Sequence, residues 1–195
     1  MVGIAVAFRR SSRRAALVSL ALVALYLGIG AIQHERAHSA TETLAASRGH
    51  RPERIVVKPS FANVLLWRSL YVVDGRIYAD GLHLGPGRTP KIYAGESAPL
   101  VDPAQAAADN DALARLGPAL LRFARFSDGL MVMHPERPEM VGDARFAMLP
   151  TRLRPLWGIA PAASDAGYPA QFVTDRSMSS DERKQFVDML LGRDI

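Results

Sequence analysis

The chain has 195 residues, a formal net charge of +5 at pH 7, a sequence pI near 10.0 and no cysteine. The missing cysteines exclude disulfides, thiolate metal centres and a cysteine nucleophile together. The basic balance is local: Arg9, Arg10, Arg13 and Arg14 supply four of 24 basic residues, and without them 20 face 19 acidic ones. The remainder of the chain is close to neutral and has no Lys/Arg run interleaved with aromatics, so no nucleic-acid partner is expected.

Ala15 to Ile32 then run for eighteen residues without a charge. At 1.5 Å per residue this stretch spans about 27 Å, enough to cross a hydrocarbon core of about 30 Å once flanking side chains reach the interface. The sequence therefore divides into a cytoplasmic basic N-terminus (1–14), a transmembrane helix (15–33), a juxtamembrane helix and linker (34–54) and an extracytoplasmic domain (55–195). Arginines gather before the span, whereas the next basic residues are Arg36 and Arg48. That asymmetry puts the N-terminus in the cytoplasm and the domain in the periplasm of a bacterial inner membrane, with the lipid bilayer as first partner. A cleaved signal peptide also begins this way, but this run is longer than an ordinary h-region, and the small-residue site at Ala37 to Ala40 contains His38.

Beyond the span, residues 34–46 favour helix and Gly49 and Pro52 break it. Ile55-Val-Val57 and Val64 to Val73 read as strands. Asp74-Gly75, between the second of these and Arg76-Ile-Tyr-Ala-Asp80, is a two-residue hairpin signal. Residues 81–103, rich in Gly and Pro, read as a surface excursion with a short strand at Lys91 to Ala94. Asp102-Pro103 opens a helix running to Leu116, and Pro118 to Phe126 forms another. Strands are expected at Leu130 to Met133, Met140 to Leu149 and Gln171 to Asp175, with turns from Pro155 to Pro169. Ser179 and Glu182 form a capping box ahead of a last helix ending at Gly192. Antiparallel or mixed strands with a few helices imply an α+β domain behind the transmembrane helix.

Few patterns point to chemistry. His34-Glu35-Arg36-Ala37-His38 matches HExxH, in which two histidines one helical turn apart hold zinc and the glutamate acts as base; Glu42 continues the same face. Its place just past the span, on a solvated helix with a charged Arg36 inside the motif, favours ordinary interfacial side chains over a metal site. Asp143 and Arg145, two apart in an expected strand, project from one face. They form an ion pair, or Arg145 holds an anionic ligand while Asp143 orients it. Arg68, beside Trp67 in an apolar strand, needs a partner that Asp80 or Asp143 could supply, and is a second candidate anion holder. His83 and His134 are isolated, and no nucleophile elbow, phosphate loop or dinucleotide fingerprint occurs.

The blocks Pro59-Ser-Phe-Ala-Asn63-Val-Leu-Leu-Trp67-Arg68, Arg125-Phe126-Ser127, Asp143-Ala-Arg145-Phe146 and Pro155-Leu-Trp157-Gly158-Ile159 resemble the C-terminal half of the YdjM-like family. Its members are described as inner-membrane-bound metal-dependent hydrolases. The resemblance implies a divalent metal acting on water, with Asp143, Arg145 and Arg68 as candidate catalytic or substrate-holding residues. Full-length relatives carry further membrane helices before this point, and the family's suspected metal-binding histidines lie there, so His34 and His38 do not correspond to them. Residues 1–8 (MVGIAVAF) then read as the tail of a preceding helix, and the chain as a truncated member. The alternative is a non-catalytic binding or assembly module that docks on other membrane subunits.

Overall fold

A computed structural model describes residues 13–61, 63–87, 89–162 and 169–195. The fold is α+β, and its first element is a long, largely apolar helix. Helix α1 (Arg13–Ser47) is continuous for 35 residues, about 52 Å at the α-helical rise. Among the described residues it alone is long and apolar enough to cross a membrane. Up to Ile32 it leaves large apolar side chains such as Leu17, Leu20 and Ile32 itself exposed. From Gln33 onward its character changes: Gln33, Ala37, Ala40, Thr41, Leu44 and Ala45 recur at helical spacing and are buried. The segment expected to be a juxtamembrane helix is thus a wall of the domain. Gly49 ends it at φ 75°, while the His50 N–H donates to Ala45 O, an αL stop that needs glycine.

The first sheet orders β1 (Arg54–Pro59), β2 (Leu66–Val73), β3 (Arg76–His83) and β4 (Lys91–Tyr93) antiparallel, with β5 (Ser97–Pro99) also paired to β3. The β2–β3 turn forms as the Asp-Gly pair requires, with Asp74 at φ 49° and Gly75 at φ 69°. The second sheet runs β6 (Met131–His134), β7 (Arg137–Asp143), β8 (Trp157–Pro161) and β9 (Ala170–Thr174), again antiparallel.

Three hydrophobic clusters define the layering. Ala37 and Ala40 of α1 meet Val57, Trp67, Leu82 and Leu84 on the outer face of the first sheet. Leu70, Val72, Ile77 and Ala79 from the inner face meet Leu130, Val132, Ala144 and Leu153. On the far side, Met131, Val141 and Ile159 pack under α2 (Pro103–Asp109), α3 (Asp111–Ala114) and α4 (Pro118–Phe126). The order is helix, sheet, sheet, helices. Because β2 is covered on both faces, its residues are buried from Leu66 to Val72 without alternation. Helix α5 (Ser180–Leu190) closes one end by seating Met189 against Leu66, Tyr93 and Leu149, and its capping box is present in full.

Four local expectations are corrected. The helix from Asp102 to Leu116 splits into α2 and α3 because the Asn110 side chain accepts the Ala112 and Leu113 N–H groups and caps a new start. The strand expected over Met140 to Leu149 ends at Asp143. The turn-rich stretch from Pro155 contains β8, masked in sequence by flanking prolines, and the excursion after Gly81 contains β5.

Candidate functional site

Residues from separate parts of the chain, Arg68, Phe126, Asp143 to Phe146 and Trp157, meet at the inter-sheet junction. Lys58 and Arg68 are register partners on β1 and β2, so they share the inner face of the first sheet. Arg68 is 4% exposed and donates to Ala144 O through Nε and Nη2 (3.3 and 2.9 Å), and to Leu149 O and Pro150 O through Nη1 (3.2 and 2.6 Å). Neither Asp80 nor Asp143 is its hydrogen-bonding partner: a fork of donors is met by carbonyls of the loop after β7. Burial lowers the guanidinium pKa to about 10, with Glu96, Asp143 and Asp80 opposing that shift from a distance, so Arg68 is charged at neutral pH.

Asp143 and Arg145 do form an ion pair, although not by sharing a strand face. The chain turns after Asp143, whose Oδ1 accepts the Arg145 N–H at 3.0 Å, and the guanidinium folds back onto both carboxylate oxygens, Nη2 lying 2.7 Å from Oδ2. The same Nη2 donates to Phe126 O at 2.7 Å, which draws in the Arg125-Phe126-Ser127 block. The bond to Asp143 raises the Arg145 pKa. Phe146 completes the junction. Its ring lies 4.4 Å from that of Trp157, and Lys58 Nζ sits 4.0 Å over its face. Burial and then the nearby Arg145 charge lower the Lys58 pKa. Lys58 carries no signal in the sequence; its register with Arg68 marks it only once the strand pairing is known.

Histidines 34 and 38 lie on the exposed side of α1. The His34 ring is edge-on to Trp67 with its Nδ1 3.6 Å from Glu35, and His38 Nδ1 is 3.7 Å from Glu42. The buried member of the motif is Ala37. Among the described residues no group of three or more His, Cys, Asp or Glu side chains is arranged to hold a metal ion. This donor set does not fit the divalent metal that the family resemblance implies.

Two polar clusters had no sequence signal, because their members lie far apart in the chain. In one, Arg48 forks onto Asp80 (2.8 Å to each carboxylate oxygen) and also donates to the Tyr71 hydroxyl, which bonds His50 Nδ1 at 3.0 Å; Tyr71 stacks on Tyr78. The Asp80 bond and charge raise the Arg48 pKa against a smaller burial effect. In the other, buried His134 accepts the Glu136 N–H at Nδ1, so its Nε2–H donates to Asp175 Oδ2 at 3.1 Å. Burial disfavours the Asp175 carboxylate, but the Ser177 hydroxyl and N–H, His134 and Arg154 outweigh it and bring the pKa down to about 2. A carboxyl group depressed in the folded state stabilises above its unfolded pKa near 3.8, and that gain is lost as pH falls toward 2. Asp175→Asn should therefore flatten the loss of stability between about pH 4 and pH 2, a difference of up to about 2 kcal/mol, read from urea midpoints across that range.

No protein-family model, no curated protein and no solved structure matches the chain.

Proposed function

We propose that the chain is a single-pass inner-membrane protein whose periplasmic domain is a non-catalytic binding or assembly module for other membrane subunits, related through its sequence blocks to YdjM-like membrane proteins. The observation that carries this reading is the use made of the candidate catalytic groups. Arg68 bonds only backbone carbonyls, Asp143 is taken by Arg145, and Arg145 is shared between Asp143 and Phe126 O. Each ties one layer or loop to another, leaving none aimed at a substrate. A helix that continues without a break from the apolar run into the domain supports the tether. The arginines before the span support the orientation.

The test combines topology with metal content. A cysteine introduced as Glu139→Cys is the chain's sole thiol and should react with an impermeant maleimide added outside spheroplasts. Protein purified in detergent should hold no stoichiometric zinc or manganese, and a His34→Ala/His38→Ala double variant should be identical in this respect. Stoichiometric metal that disappears in the double variant would instead make the helix surface a metal centre and end the non-catalytic reading.

A further inference from the structure

The membrane-facing end of the domain is fixed by two polar side chains at the exit of the span. Gln33 Nε2 donates to Val64 O (3.1 Å) and Leu84 O (2.8 Å), and Arg36 donates to Gly85 O and Gly87 O. From Gln33 beside Val64 to Arg48 beside Tyr71, helix and strand advance in step. Fifteen helical steps rise about 22 Å, and the five strand steps from Leu66 to Tyr71 cover about 17 Å of that length. Strand β2 therefore runs outward along the helix axis, and the loops before β2 and after β3 face the bilayer.

The loop before β2 has the features of a segment that enters lipid. Phe61 is 93% exposed and Leu65 38%, and the apolar side chains of the span are exposed as well. A groove of about 280 Å³, lined in part by Ile29, Ile32, Leu65, Leu84 and Pro86, joins the loop to that span. Several backbone polar groups here are also provided for. Asn63 Nδ2 donates to Ser60 O and Phe61 O, and its Oδ1 accepts from Leu65 N and Leu66 N, while Gln33 takes Val64 O. Internal satisfaction of this kind is what lets irregular backbone approach hydrocarbon.

We propose that Phe61 and Leu65, on the loop before β2, make a second membrane contact, inserted into the interface of the outer leaflet, with phospholipid acyl chains covering the groove beside Ile29 and Ile32. The occupant is the bilayer because the groove is continuous with the span. Phe and Leu side chains gain by burial at the boundary between headgroups and acyl chains. The inference rests on the membrane-anchored reading of α1, and its test keeps the two apart.

The full chain, carrying one cysteine at a time through Leu22→Cys, Phe61→Cys or Glu139→Cys, is labelled with the fluorophore NBD and reconstituted into phosphatidylcholine vesicles containing nitroxide-labelled lipid. The expected result is that labels at positions 22 and 61 lose most of their fluorescence while the label at 139 keeps it. Quenching at 22 with a label at 61 as bright as that at 139 would overturn the loop contact and leave the anchor standing. No quenching at 22 would overturn the anchor, and the proposal with it. A second pair gives a check without a probe at 61: NBD on Leu65→Cys should be quenched, and Phe61→Asp in the same chain should restore its fluorescence. Unchanged quenching in that pair counts against insertion of Phe61.

Discussion

Arg68→Ala should lower the unfolding free energy by roughly 4 kcal/mol or more, a large part of the ~5–15 kcal/mol that holds a domain together. The substitution strips the donors from three carbonyls, Ala144 O, Leu149 O and Pro150 O, in a place water does not reach. Each unmet buried acceptor costs about 1–3 kcal/mol, and the emptied side-chain volume adds a cavity. Arg68→Lys keeps the charge but lacks the fork, so it should fall between wild type and alanine. Urea unfolding of the detergent-solubilised chain measures both. If Arg68→Ala left the midpoint where it was, the inter-sheet junction could not depend on this arginine, and its role as a ligand holder would come back into consideration.

Gly158→Ala should be strongly destabilising, costing about 3 kcal/mol or more. A β-carbon at this position would lie 2.2 Å from Val141 O and 2.8 Å from Gly142 Cα, both backbone atoms of the paired strand, so no rotamer change relieves it. Gly142 and Gly158 face each other in register, and Pro155 packs where a side chain on Gly142 would go. Asp143 follows directly, so the glycine pair also sets the position from which Arg145 is held. Gly87→Ala is the control: nothing lies within 4 Å of the added carbon, and stability should shift by no more than about 0.5 kcal/mol. Equal effects at positions 87 and 158 in thermal melts would refute the close-approach argument.

The Asp143–Arg145 pair separates what is legible along the chain from what is not. Two residues apart with opposite charges, they read as an ion pair, but the geometry comes from a turn rather than from strand alternation. Strand β8 is hidden for a related reason. Trp157-Gly-Ile-Ala-Pro161 is short and bounded by prolines, so its sequence looks like turn, and it becomes a strand because β7 and β9 offer partners on both sides. The capping box of α5 and the Asp74-Gly75 turn needed no such help, since each is decided by the backbone preferences and side-chain bonds of adjacent residues.

The sequence by itself determined the apolar run that forms the first half of α1, the Asp-Gly hairpin, the caps and the α+β character, all set by local periodicity and φ preference over a few residues. Tertiary structure alone decided the stacking of helix, sheet, sheet and helices, the burial of Ala37 rather than the histidines beside it, and the carbonyl partners of Arg68. Those outcomes join residues as far apart as 68 and 150. Contacts at that separation depend on which surfaces meet once chain entropy has been overcome, and no local pattern in the sequence encodes the meeting.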